Sequence, residues 1–118
     1  MRKATAVRAI RRLFLASLIA GLGTVAGAQT RHDLVAGLDF DRWRVCRAAG
    51  DVTTVVMDGD GDTDLDLFVY DENGNRIVSD TRSSDYGEVR WRALWSACFE
   101  VRVVNLGLVP NLYRISVE

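Results

Sequence analysis

Residues 61–75 read Gly61-Asp62-Thr63-Asp64-Leu65-Asp66-Leu67-Phe68-Val69-Tyr70-Asp71-Glu72-Asn73-Gly74-Asn75. Side chains of one character recur at every second position from Leu65 to Tyr70, the period of a strand with one buried face. Leu65, Leu67 and Val69 are expected to face a core, with Asp66, Phe68 and Tyr70 pointing the other way. Asn73-Gly74 is a strong hairpin signal, because a tight turn needs residues that accept positive φ. Arg76-Ile77-Val78-Ser79 reads as the returning strand.

The same pattern continues on both sides. Trp43 and Val45 alternate with Arg42, Arg44 and Cys46, and the β-branched run Val52–Met57 follows a Gly50-Asp51 turn. Val89 and Trp91 alternate with Arg90 and Arg92, and Phe99, Val101 and Val103 alternate with Glu100, Arg102 and Val104. Leu112–Val117 closes the chain. Ser83–Gly87 reads as a loop, as does the stretch between Asn105 and Asn111, which holds the single proline. A proline there leaves the strand ladders intact. About seven to eight short strands predict an all-β fold, an antiparallel β-sandwich of jelly-roll type.

The 118 residues carry 15 basic and 16 acidic side chains, but the near balance hides two unlike pieces. Residues 1–28 hold Arg2, Lys3, Arg8, Arg11 and Arg12 and no acid. The apolar run Leu13–Ala20 and the small-x-small sequence Ala26-Gly27-Ala28 follow. This predicts a Sec-type signal peptide, cleaved after Ala28. Gly21 and Gly23 interrupt the run of about 20 apolar residues that the alternative, a membrane anchor, would need. Residues 29–118 are then expected to be one exported domain, periplasmic or secreted, with no membrane contact after cleavage. They hold ten arginines, no lysine and all sixteen acids, a net charge of minus six. Such a surface has no general attraction for a polyphosphate backbone, so no nucleic-acid partner is expected. Export also places Cys46 and Cys98 in an oxidising compartment, which predicts a disulfide over two free thiols. Both fall on the polar side of their strands, so the bridge is expected at a sheet surface or edge.

Asp58, Asp60, Asp62, Asp64 and Asp66 stand at every second position and would share one face if the chain stayed extended. Five carboxylates so placed need a cation, arginine partners or full solvation. Oxygen ligands without His or Cys suit Ca²⁺ better than zinc or copper. An EF-hand loop starting at Asp58 fails, since Thr63 stands where the turn glycine belongs and Val69 where the final glutamate belongs. One copy of an Asp-rich propeller repeat cannot build a propeller. Two readings remain: a loop turned by Gly59 and Gly61 that offers Asp62, Asp64 or Asp66 to a metal at the mouth of the next strand, or a solvated acidic turn.

Catalysis is not expected. The only histidine, His32, is expected in a loose N-terminus, and neither G-x-S-x-G nor H-E-x-x-H occurs. Asp62-Thr63-Asp64 compares with the Asp-Thr-Gly of dimeric aspartic proteases, but Asp64 occupies the place of the obligatory glycine. A glycosidase carboxylate pair needs a substrate-sized cleft, which so small a sandwich rarely encloses. Arg42, Arg44, Arg47, Arg90, Arg92 and Arg102 are expected on a solvated, ion-paired sheet face. Trp91 is expected in the core. Trp43 and Trp95 are the aromatics offered for stacking on a sugar or peptide, and Trp95, in the Ala93–Ser96 turn, is the ligand-binding candidate. Asn105 and Asn111 are expected to bridge the last loop.

The run Gly61–Asp71, then Asn73-Gly74-Asn75 and Ser79-Asp80, resembles the bacterial pre-peptidase C-terminal domain. Trp91, the strand Val101–Asn105, Gly107 and Asn111-Leu112-Tyr113 continue the resemblance, which spans about residues 34–118. It implies a jelly-roll-like sandwich in secreted bacterial proteins, commonly appended to extracellular proteases, non-catalytic, and in some relatives calcium-binding. Ser96-Ala97-Cys98-Phe99 departs from the usual Gly-x-Tyr, with Phe99 keeping a ring. The expected function is a stand-alone, non-catalytic exported binding or accessory module, steadied by Ca²⁺ at the aspartate run. Its partner would be an extracellular or periplasmic protein or polymer. The alternative is a metal-free structural or protein-interaction domain of the cell envelope.

Overall fold

The computed structural model describes residues 29–118, and the expected signal peptide lies outside the described residues. The described chain is all strand and loop: β1 (Gln29–Val35), β2 (Phe40–Arg47), β3 (Val52–Asp58), β4 (Leu65–Tyr70), β5 (Arg76–Asp80), β6 (Tyr86–Arg92), β7 (Ala97–Asn105) and β8 (Asn111–Val117). They form two four-stranded antiparallel sheets, ordered β1-β8-β3-β6 and β2-β7-β4-β5. Only β4 and β5 form a hairpin within one sheet; every other connection crosses to the opposite sheet, as in a jelly roll.

Alternation explains the packing. β8 buries Tyr113, Ile115 and Val117, and β3 buries Val55 and Met57. From the facing sheet come Leu65, Leu67 and Val69 of β4 and Phe99, Val101 and Val103 of β7. The rings of Trp91 and Phe99 meet edge to face across the layers, with centroids 5.4 Å apart. A polar contact also joins the sheets in the core. Trp43 Nε1 donates to Tyr113 Oη at 2.9 Å, and Tyr113 Oη donates to Asp41 Oδ2 at 2.7 Å. Trp43 is therefore a core residue, not an exposed stacking ring. Its indole donor needs the β8 tyrosine, and burial satisfies both groups.

Two further expectations are met or amended. Cys46 and Cys98 face each other across β2 and β7 and form a disulfide at the half-buried outer surface of the sheet. The N-terminal stretch is not loose. β1 pairs with β8 from Gln29–Val117 to Val35–Asn111, placing His32 opposite Arg114. Backbone pairing at a sheet edge holds a segment that shows few apolar residues.

The crossings gather the loops at two ends. Loops 36–39, 59–64, 81–85 and 106–110 meet at one end, tied by Leu38 N to Gly107 O at 2.8 Å, Gly59 N to Asp85 O at 2.9 Å and Leu106 N to Asp64 O at 3.0 Å. Loops 48–51, 71–75 and 93–96 lie at the other, where Gly50 N donates to Ala93 O at 2.7 Å.

Candidate functional site

The aspartate run forms the rim of the first end. β3 stops at Asp58 and β4 starts at Leu65, so the five carboxylates do not share one strand face. Gly61 is the reason for the turn. Its φ of 90° is a left-handed conformation that glycine adopts without penalty. Gly59 allows close approach, because a Cβ there would lie 2.3 Å from Asp85 Oδ2 and 2.6 Å from Asn111 Oδ1.

The carboxylates then part company. Asp58 meets Arg114 Nη2 at 3.4 Å on the outer face of the first sheet. Asp60 is spent on the backbone: Oδ1 accepts from Asp62 N at 3.1 Å and Oδ2 from Leu112 N at 2.8 Å. Asp62 is exposed. Asp64 and Asp66 each bury an Oδ1 that has no hydrogen-bond partner. Asp66 is only 8% exposed. Burial, and then repulsion from Asp64 and Asp80, push its carboxyl above the usual range. Asp80 goes the other way, to about 2, chiefly through its hydrogen bonds to Arg82.

Two residues outside the run hold the rim together. Asn111, fully buried, accepts from Asp60 N at 3.1 Å and donates to Thr63 Oγ1 and Asp85 Oδ2, both at 3.1 Å. Asp85 Oδ2 also accepts from Gly61 N at 2.5 Å. Asn105 bridges its own loop as expected, donating to Val109 O at 2.8 Å and accepting from Gly107 N at 2.9 Å. Asn111 differs: it ties the aspartate loop to loop 81–85. Among the described residues, no group of three or more His, Cys, Asp or Glu side chains is arranged to hold a metal ion. The two orphan oxygens of Asp64 and Asp66 are the part of the run whose chemistry suits a hard cation.

Trp95 stands at the opposite end, 66% exposed beside Leu94 at 76%. Their turn is pinned by the Ala93 backbone bonds to Gly50 and Asp51 and by Ala49 N donating to Ser96 Oγ at 3.4 Å. The aspartate run and the exposed tryptophan therefore cannot belong to one site.

No family model and no curated protein matches the chain. Solved structures do. The pre-peptidase C-terminal domain of collagenase from Bacillus anthracis superposes with a TM-score of 0.66, over 80% of this chain and 91% of that one, at 13% identity. The chain has the pre-peptidase C-terminal fold. The same architecture occurs in the Yersinia pseudotuberculosis-derived mitogen, with a TM-score of 0.67 over 79% of this chain and 86% of that one, at 11% identity. It occurs too in Aeromonas hydrophila PliG, a periplasmic inhibitor of g-type lysozyme, with a TM-score of 0.56, 15% identity and coverage of 79% and 88%. At such identities the fold alone is shared.

Within this pre-peptidase C-terminal fold, His32 points outward from an edge strand. Asp66 lies at a strand mouth with Asp64 and Asp80 close enough to repel it. The arrangement leaves unpartnered carboxylate oxygens at one end and displays an aromatic at the other.

Proposed function

We propose that this chain is an exported, non-catalytic β-sandwich module that binds another protein or polymer, with Ca²⁺ steadying its acidic rim. The observation that carries the binding reading is Trp95. Two of the three tryptophans fill the core, while this one is two-thirds exposed on a turn anchored by backbone hydrogen bonds. An exposed, pre-positioned indole offers a large contact area at low entropic cost. The cross-strand disulfide supports an oxidising compartment. PliG, a periplasmic lysozyme inhibitor of the same fold, supports protein binding as a use of this architecture.

The calcium part rests on Asp64 and Asp66. A buried carboxylate oxygen without a partner is costly, and repulsion from a neighbouring carboxylate adds to the cost. These two side chains would hold the ion, with backbone carbonyls and water completing the oxygen shell that calcium takes. Bound there, the ion supplies charge neutralisation, which stabilises the folded state.

Retention from periplasmic extract by immobilised wild-type protein and by Trp95→Ala, each with and without Ca²⁺, tests the binding reading. A partner held by wild type and released by Trp95→Ala is expected. No retained partner, or equal retention by both, overturns it. The calcium part has its own readout: identical melting curves in millimolar-range Ca²⁺ and in chelator would remove it.

A further inference from the structure

We propose that the outer face of the β2-β7-β4-β5 sheet docks an acidic polypeptide segment in extended conformation. The proposal rests on the reading of this chain as a binding module, and it names a separate surface and the chemistry of its partner.

Cross-strand register assembles the face. Arg42 of β2 lies opposite Arg102 of β7, and Arg102 lies opposite Phe68 of β4. In the next row Arg44 faces Glu100, which faces Tyr70, and Tyr70 faces Arg76 of β5. Phe40 begins β2 on the same side. The guanidiniums rest on the rings. Arg102 lies 5.3 Å from the Phe40 centroid and 4.4 Å from that of Tyr70, Arg42 lies 6.0 Å from Phe40, and Arg76 lies 5.7 Å from Phe68. Stacked guanidiniums keep their donor edges free for carboxylates and have already given up much of their rotamer freedom.

The charge on this face is not balanced within it. Four arginines share two carboxylates: Glu100, half-buried and bonded to Arg102, and Asp66, buried one row beyond Phe68. Arg42 directly opposite Arg102 is a like-charge cross-strand pair, which destabilises a sheet. The other sheet's outer face mixes its signs: Asp58 meets Arg114 in register, and Glu88 shares β6 with Arg90 and Arg92. A surface built only for solubility intersperses charge in that second way. A cationic island on a domain of net charge minus six therefore points to an anionic partner.

Spacing and chemistry favour a peptide. Arg42 and Arg44 are two residues apart on a strand, about 6.8 Å, and so are alternate side chains of any extended chain. A segment with a carboxylate at every second residue meets both in register, with bidentate guanidinium–carboxylate bonds available at each. β2 is the outer strand of its sheet, with β7 its only strand neighbour among the described residues. A segment can thus lie along it while Arg102, on the neighbouring strand, takes a further carboxylate. An acidic polysaccharide fits less well, because a sugar ring stacks on an open aromatic face and Arg102 lies over both Phe40 and Tyr70. Arginine and tyrosine are also the residue types that dominate protein interfaces energetically.

The test is a titration of the purified protein with a fluorescent peptide of alternating Glu and Thr, read by anisotropy at low salt. Heparin and anionic phospholipid vesicles are run in parallel. Saturable peptide binding is expected, weakened about tenfold or more in the Arg42→Gln/Arg44→Gln double variant and weakened by added salt. Nitrogen-observed NMR of the wild-type arginine side chains is expected to shift Arg42, Arg44 and Arg102 but not Arg114. This readout is independent of whether the variant folds. No saturable binding, undiminished binding by a folded double variant, shifts centred on Arg114, or preference for heparin or vesicles over the peptide overturns the proposal. Peptide binding is expected to survive Trp95→Ala. If the peptide fails while Trp95-dependent retention persists, the docking face is wrong and the module reading stands.

Discussion

Replacing both Cys46 and Cys98 by serine is expected to be the most damaging mild change available on the outer surface. The bridge closes a segment of 52 residues. On the chain-entropy view, freeing a loop of that length restores unfolded-state entropy equivalent to about 4 kcal/mol at room temperature. A small domain has about 5–15 kcal/mol in total, so a large share is at stake. The folded state loses little directly, because both residues are half-buried on the outer face. For a domain of about 90 residues the unfolding entropy converts that loss into a fall in Tm of about 20 °C. Far-UV circular dichroism against temperature and urea, on the oxidised protein and the double serine variant, measures it. The urea m-value should also rise, since the uncrosslinked unfolded chain exposes more surface. A fall in Tm below about 5 °C with an unchanged m-value would refute the reasoning, because the loop constraint would then count for little.

Tyr113→Phe removes the hydroxyl between Trp43 and Asp41. Its expected cost is about 1–3 kcal/mol in a urea midpoint, as each buried partner loses a hydrogen bond. Asp80 titrates at about 2 in the folded protein, mainly because of Arg82, against about 3.9 unfolded. A depressed folded value contributes stability that is present above the unfolded value and lost as pH falls towards the folded one. Acid unfolding of Arg82→Gln should therefore lose part of the stability drop between about pH 4 and 2. Asp66 has the opposite sign. Its raised value, caused first by burial, means that the ionised form costs stability at neutral pH. Asp66→Asn should melt higher than wild type in chelator, and the order should reverse in saturating Ca²⁺.

The core was legible in the sequence because period-two alternation is a local signal. Leu65, Leu67 and Val69 face inward as their spacing demands, and the Asn73-Gly74 hairpin forms with Gly74 at a φ of 82°. β1 was not legible. Its inward residues include Asp33, and it joins the sheet through backbone pairing with β8, which leaves no apolar periodicity to read. The burial of Trp43 beside Val45 follows the same period-two alternation, whereas the partner of its indole, Tyr113, lies 70 positions away and leaves no local signal. The aspartate run shows the limit most clearly. Alternation suggested one acidic face, whereas Gly59 and Gly61 turn the chain and separate Asp58 from Asp64 and Asp66. The groups that organise the rim, Asp85 and Asn111, come from other loops, and only the topology brings them there. The arginine and aromatic face was visible as outward positions on single strands, but its excess of cations needed the cross-strand register.

Calorimetric titration of Ca²⁺ into the chelator-stripped protein, repeated with Asp66→Asn, bears most directly on the proposal that a cation completes the acidic rim. One saturable site in wild type, absent from a folded Asp66→Asn protein, is the predicted result. Flat heats in wild type, or the same isotherm from both proteins, would contradict it and leave the rim a solvated turn.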